Sequence, residues 1–387
     1  MSSRRSATAS PVTLLAMAAV KRVAILTSGG DAPGMNAAIR AATLIGHAAG
    51  VEVFGVERGY RGLLEDAIAP LPPAEVAGIL REGGTILGSA RCKEFHQREV
   101  RDRARAILAA RGIDGLLVIG GNGSLTGAMH LTAVEERGEQ PLAVVGIPAS
   151  IDNDLALTGM SIGVDTAMNT IVEACDKIAD TATAHDRTFL IEVMGRDCGY
   201  LAMTSAIAAG ADLALFPEAG RSDAAIVDSI VDAVLAARRR ARRGRRVLVI
   251  KAEGVSIPID RLKSLVDVRL REREPSADPA AIETRVTVLG HVVRGGRPSA
   301  FDRLLGSRLA NVGIRALLAG ETRKMAAWMP PVDMTPELGV RSPADPYCWL
   351  VDLATTLAET ERLLKGSSPL ARWRAAVFND IDQAMTL

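Results

Sequence analysis

The chain's most concentrated set of reactive side chains is Ser150-Ile151-Asp152-Asn153-Asp154: one hydroxyl, one amide and two carboxylates, directly after an apolar run that ends at Pro148. Two close carboxylates suit a base beside a metal ion or a phosphate. The plain alternative is a capped turn, because Asp and Asn favour both caps and turns. Three glycine-rich segments accompany it: Ser28-Gly29-Gly30-Asp31-Ala32-Pro33-Gly34-Met35-Asn36, Gly83 to Arg91, and Gly120-Gly121-Asn122-Gly123-Ser124. Glycine lets backbone come close to a ligand, and N–H groups at helix N-termini attract anions. One such loop is an ordinary turn. Three in one sheet suit a polyphosphate.

Each of these segments falls where an apolar run stops. Arg22 to Thr27, Val51 to Val56, Gly115 to Ile119 and Leu142 to Ile147 read as strands, with a helix from Met35 to Ala49. Runs this apolar, alternating with helices, belong to a parallel sheet buried on both faces. Ligands of such sheets bind beyond the carboxyl ends of the strands. A long helix, Val164 to Thr181, leads to a second block with strands at Thr188–Val193, Leu213–Phe216, Arg246–Ala252 and Val286–Leu289. A helix from Ala224 to Arg240 lies between them, and the helix after Pro298 returns to the first sheet. Beyond Pro331 come a turn-rich stretch, Pro336 to Pro346, and an amphipathic helix, Leu350 to Leu364; the last twenty residues read as a tail or an interface element.

The bulk properties narrow the function classes. A chain of 387 residues, 48% hydrophobic, has room for two α/β domains with a large core. Its 46 Lys and Arg against 45 Asp and Glu leave a net charge of +1, which argues against a nucleic-acid binder steered by its overall field. Aromatic residues are 3% of the chain, too few to suggest a base-stacking platform. Cys92, Cys175, Cys198 and Cys348 are scattered without a CxxC pair, as expected of reduced thiols in a cytoplasmic protein. No apolar run is long enough to span a membrane. Arg4-Arg5 and the apolar Val12–Val20 imitate a secretory signal, but Lys21-Arg22 follow at once, so residues 1–20 read as a flexible leader. The basic run Arg238–Arg246 reads as a solvated helix end, where cations are favoured.

Six segments, in this order and spacing, carry a resemblance: Leu26 to Asn36, Gly83 to Arg91, Ile119 to Ser124, Ile151-Asp152-Asn153-Asp154, Glu192-Val193-Met194-Gly195-Arg196, and Val288 to Gly296. Over about Arg22 to Gly320 the chain resembles the bacterial-type, ATP-dependent 6-phosphofructokinases. The resemblance implies two similar three-layer α/β/α domains with mostly parallel sheets and a site in the cleft between them. A larger nucleotide-binding domain would take residues 21–160 plus about 295–330. A smaller sugar-phosphate domain would take 161–294, and 331–387 would form a C-terminal helical extension. The implied reaction moves the ATP γ-phosphoryl group to the 1-hydroxyl of fructose 6-phosphate with Mg²⁺, in a cytoplasmic homotetramer with a dimer as the minimum, without nucleic acid or membrane.

The resemblance also assigns roles. Asp152 would take the proton from the 1-hydroxyl, and Ser150, in place of the usual threonine, would hydrogen-bond the transferring group. Arg91 would compensate its charge, and Gly30, Cys92, Gly121, Asn122, Gly123, Ser124 and Gly127 would line the ATP site. Met194, Gly195, Arg196, Glu253, His291 and Arg294 would form the sugar-phosphate pocket, with Arg196 also counted as catalytic. Arg187 and Arg285 would reach the 6-phosphate from a neighbouring subunit. Asp154 and Asn122 would hold Mg²⁺.

Asn122 stands where the family normally has a metal-binding aspartate, and His96 replaces an arginine, so both weaken phosphate and metal handling. Relatives that use pyrophosphate carry an aspartate and a lysine where this chain has Gly123 and Ala149. Gly123 leaves room for the α-phosphate of a nucleotide, which favours ATP. The alternatives are a pyrophosphate-dependent enzyme and a catalytically weakened regulatory paralogue.

Overall fold

A computed structural model describes residues 20–132, 142–239, 246–275, 282–329 and 339–385. Its frame is two sheets. The larger has eight strands: β1 (Arg22–Ser28), β2 (Glu52–Val56), β3 (Ile68–Pro70), β4 (Gly115–Gly120), β5 (Ala143–Pro148), β10 (Lys324–Trp328), β11 (Gly339–Arg341) and β12 (Cys348–Asp352), in the order β11-β12-β10-β5-β4-β1-β2-β3. The smaller has four: β6 (Thr188–Val193), β7 (Leu213–Leu215), β8 (Val247–Ala252) and β9 (Arg285–Val288), in the order β7-β8-β6-β9. The smaller sheet is parallel throughout. In the larger sheet β2, β1, β4, β5 and β10 run parallel, while β3, β11 and β12 add antiparallel edges.

Successive side chains of a strand point to opposite faces, and here both faces are covered. Val23, Ile25, Leu117, Ile119, Val145 and Ile147 lie in one buried cluster, which continues into Leu190, Ile191 and Val249 of the smaller sheet. Ala24, Leu26, Leu116, Val118 and Val144 lie in another cluster on the opposite face. This two-sided burial explains why the strands read as continuous apolar runs rather than alternating ones.

Helix α1 (Met35–Ala48) packs along α9 (Ala300–Leu318). They come close at Gly306, where a Cβ would sit 2.8 Å from the Gly34 carbonyl oxygen. The other helices before the C-terminal segment are α2 (Gly59–Leu64), α3 (Arg98–Ala110), α4 (Asn122–Leu131), α5 (Val164–Ala184), α6 (Tyr200–Ala209), α7 (Asp223–Arg239) and α8 (Ile259–Arg273). Asp302 of α9 ties the entry of α5 into place. Its carboxylate accepts from Gly163 N (2.8 Å), Thr166 N (2.8 Å) and the Thr166 hydroxyl (2.5 Å). Its pKa is nevertheless pushed up to about 6, because burial outweighs those bonds.

The C-terminal segment differs from the helical extension expected for 331–387. Cys348–Asp352 is a strand paired antiparallel to β10, and of the helix expected over Leu350–Leu364 only Leu353–Leu364 is helical (α10); Gly339–Arg341, in the turn-rich stretch, is a strand beside it. Asp352 ends the strand and caps the helix, accepting from Thr355 N at 2.9 Å. Cys348-Trp349-Leu350-Val351 is a short apolar run that fits a buried strand and a helix turn equally well; the open edge of β10 decides between them. The last twenty residues, read as a tail or an interface element, contain a helix, α11 (Pro369–Met385). The expected leader and most of the basic run lie outside the described residues.

Candidate active site

The carboxyl ends of β1, β4 and β5 lie side by side and open into a cavity of about 450 Å³. Each strand delivers one of the glycine or carboxylate loops to it. After β1, Gly29 and Gly34 take φ of +89° and +108°, a region that side-chain-bearing residues rarely adopt, and α1 begins at once. After β4, Gly121 precedes the first turn of α4, which presents Asn122, Gly123 and Ser124 to the cavity at the positive end of the helix. After β5 comes the Ala149–Asp154 loop, with Ala149 N bonded to Gly120 O (3.0 Å).

That loop is braced through Asn153, not through Asp152. Asn153 is fully buried with φ 49°, its amide donates to Gly159 O (3.1 Å), and its side-chain oxygen accepts from Ser161 N (3.0 Å). The Ser150 hydroxyl donates to Asp154 Oδ1 (2.7 Å). Asp152 Oδ1 is buried with no hydrogen-bond partner. Burial, then the neighbouring Asp154, push the Asp152 carboxyl up to about 6; Arg294 opposes, while Glu253 and Asp197 push further upward. A carboxylate that is poorly solvated and engaged by no donor is a good proton acceptor near neutral pH.

The glycines have distinguishable roles. A Cβ on Gly30 would fall 2.4 Å from Arg294 Nη1, so glycine there lets the Arg294 guanidinium cross the cleft and donate to Asp31 O (3.3 Å). A Cβ on Gly123 would meet nothing within 4 Å, so the space over the α4 terminus is open. Gly127 faces Tyr60, whose ring lies 2.9 Å from where its Cβ would be. Tyr60 in turn stacks on Phe95 (centroids 4.1 Å apart) and donates to Ser124 O (2.7 Å). These two aromatics do line the cavity, but both are buried against each other.

Of the residues expected at an ATP site, Gly30, Arg91, Cys92, Gly121, Asn122, Gly123, Ser124 and Gly127 all line the cavity, as do Ser150, Asp152, Asp154 and Arg294. Burial, with Glu94 beside it, pushes the Cys92 thiol up, so it is a protonated lining group.

The residues expected at the sugar-phosphate pocket are divided. Met194, Gly195 and Arg196 follow β6, Glu253 follows β8, and His291 lies in a short 3₁₀ turn (Gly290–Arg294) after β9. They sit at the carboxyl ends of the smaller sheet, but outside the lining of the cavity itself. Arg196, Glu253 and His291 are exposed. Arg187 and Arg285 sit at the opposite, amino ends of β6 and β9, and Arg285 pairs with Glu283 (2.8 Å). The chain does not bring these two arginines to the cavity. Sequence reasoning missed Lys93, His130, Asp197 and Leu364 in the lining. Asp197 carried the signal that marked Asp152, an acidic residue just past a strand; Leu364, at the end of α10, carried none.

Among the described residues no group of three or more His, Cys, Asp or Glu side chains could hold a metal by itself. The set at hand, the Asp154 carboxylate and the Asn122 amide, both lining the cavity, fits an ion that takes most of its oxygens from substrate and water, as Mg²⁺ does.

Glycine loops at the carboxyl ends of parallel strands, a half-buried carboxylate with one buried, unpartnered oxygen and an arginine spanning two sheets together define a phosphoryl-transfer cleft. Comparison with known proteins agrees. The phosphofructokinase family model matches residues 22–317, and the chain belongs to that family. It is 45% identical over 306 residues to an ATP-dependent 6-phosphofructokinase of Clostridium botulinum, covering 79% of this chain and 89% of the relative. It is 44% identical over 318 residues to ATP-dependent 6-phosphofructokinase 1 of Thermus thermophilus, covering 82% and 92%. Among solved structures, the phosphofructokinase of Saccharomyces cerevisiae superposes with a TM-score of 0.75 at 32% identity; 94% of this chain is covered but only 48% of the yeast chain. A pyrophosphate-dependent phosphofructokinase from Marinobacter aquaeolei gives a TM-score of 0.70 at 20% identity, covering 87% and 84%, which is a likeness of fold alone.

Proposed function

We propose that the chain is an ATP-dependent 6-phosphofructokinase, forming fructose 1,6-bisphosphate and ADP in the committed step of glycolysis. The observation that carries the reading is Asp152: half-buried, with its Oδ1 buried and unpartnered, pushed up to about 6, and lining the cavity with the glycine loops and Arg294. Asp152 accepts the proton of the sugar 1-hydroxyl as that oxygen attacks the γ-phosphorus. Ser150 hydrogen-bonds the group in transfer, and Arg91 offsets its charge. Arg294, with Met194, Gly195, Arg196, Glu253 and His291 at the ends of the smaller sheet, orients the sugar phosphate.

Asp154 and Asn122 would hold Mg²⁺, whose contribution when bound is to neutralise charge on the β- and γ-phosphates. ATP is favoured over pyrophosphate by the open space at Gly123 and by relatives at 44–45% identity that are ATP-dependent. A homotetramer, or at least a dimer, follows if Arg187 and Arg285 serve a neighbouring copy, since their own cavity lies at the other end of the strands. No helix among the described residues is long and apolar enough to cross a membrane. A coupled assay offering ATP and pyrophosphate separately tests the reading. Turnover with ATP is expected; turnover with pyrophosphate alone overturns the donor assignment, and none with either donor favours the regulatory paralogue.

A further inference from the structure

Helices α10 and α11 lie past residue 317, where the family match ends, yet both reach the loop that carries Asp152. From α10, the buried Thr360 hydroxyl oxygen accepts from Ala156 N (3.0 Å). From α11, Arg374 Nη1 donates to the carbonyl oxygen of Asn153 (3.0 Å), between the two carboxylates. The same guanidinium lies 4.7 Å over the ring of Tyr200, and its Nη1 is 3.9 Å from Cys198 Sγ. Cys198 and Tyr200 belong to the segment after β6 that also carries Arg196 and Asp197. Arg374 therefore joins the loop of the larger sheet to the segment of the smaller one. One turn on, on the same helix face, buried Phe378 meets Phe216 edge-on with centroids 5.4 Å apart, anchoring α11 to the smaller sheet's side.

The geometry points to Arg374 as a positioning residue for Asp152, with the C-terminal helix bracing the catalytic loop from behind. Asp152 Oδ1 has no partner to aim it, so the backbone of its own loop must do so. That backbone passes through Asn153 in a left-handed conformation, which persists only when its surroundings hold it. Three of those holds come from Ser150, Gly159 and Ser161, within the loop and its own continuation; the fourth is Arg374, more than two hundred residues later in the chain. The inference rests on Asp152 being the base.

The test uses full-length Arg374→Ala and Arg374→Lys beside Asp152→Asn. A misplaced base costs rate rather than substrate affinity, so Arg374→Ala should lose about 10- to 100-fold in kcat with KM for ATP within about twofold. Arg374→Lys, which keeps a cationic donor, should recover most of that loss. Hydrogen exchange should quicken at the amides of residues 153–161 in Arg374→Ala, a readout independent of turnover. If Arg374→Ala does not fold, Phe378→Ala loosens the same helix without touching the loop and is read identically. A kcat within about threefold of wild type together with unchanged exchange overturns the inference, as does a loss that Lys fails to rescue. Near-normal turnover in Asp152→Asn would instead sink the base assignment, while the exchange data still report whether the brace exists.

Discussion

The two walls of the cleft are assembled differently. On the larger sheet the loops after β1, β4 and β5 come from three adjacent parallel strands, so their residues meet in one cavity with nothing further required. On the smaller sheet the expected sugar-phosphate residues fall at both ends of the strands. β6 is six residues long, and at about 3.3 Å per residue Arg187 lies ~20 Å from the end that carries Met194 and Arg196. A parallel sheet collects function at its carboxyl ends. Residues at the amino ends must serve something else, and a second copy of the chain is what the proposed function requires.

Asp152→Asn should break the better-built wall most severely. Loss of a positioned base typically costs about 10²–10⁴ in rate, and fructose 6-phosphate binding should survive, as equilibrium titration would report. A rate within tenfold of wild type would remove Asp152 from that role. The same substitution should stabilise the fold at neutral pH. The raised pKa means that the folded state holds the proton more tightly than the unfolded one. That contribution is present below the ordinary value of 3.8 and is lost as pH rises through about 6. Thermal melts at pH 5 and pH 8 check this: the mutant's advantage should appear at pH 8 and shrink at pH 5.

Next in size are Arg187→Ala and Arg285→Ala, which sharpen the contrast between the walls. A lost charge-assisted phosphate contact is worth about 1.5–3 kcal/mol, roughly ten- to a hundredfold in KM for the sugar phosphate. KM for ATP should stay put. Unchanged saturation by both substrates would confine the sugar pocket to one chain.

The pH profile comes third. Asp152 must be ionised to act, so kcat/KM for the sugar phosphate should rise with pH and level off above about 6, standing near a tenth of its plateau at about pH 5. A limb near pH 4 would mean that water reaches the carboxyl in solution.

The smallest effect belongs to Asn122→Asp. Restoring a carboxylate beside the α4 terminus should lower the free Mg²⁺ needed for half-maximal rate by a few-fold while preserving kcat, since a hard dication prefers an ionised oxygen. Superimposable Mg²⁺ curves would remove position 122 from the metal.

Much of this architecture is local enough to be read from the chain. Val23–Leu26, Leu116–Ile119 and Ala143–Ile147 are apolar without interruption and stop at glycine or proline, or just short of the first glycine loop, so strand, loop and helix follow each other with little ambiguity. The convergence of the three loops on one cavity was legible for the same reason: adjacent parallel strands carry neighbouring loops into one place. The C-terminal region was not. Cys348–Asp352 became a strand because β10 offered it an open edge, a partner distant in sequence and invisible to local periodicity. Asp152 was recognisable by its neighbours in sequence. Its raised pKa was not, because desolvation depends on everything packed around the carboxyl, and its charged surroundings include Arg294, Glu253 and Asp197 from the other sheet. Arg374 is the extreme case. Nothing in Arg372-Trp373-Arg374 distinguishes it from any cation on a helix. Only the docking of α11 by Phe378 on Phe216 brings its guanidinium to the Asn153 carbonyl. Short-range patterning thus determined the strands and loops, and long-range packing decided which side chains lose water, which carbonyls find donors and which arginines face away.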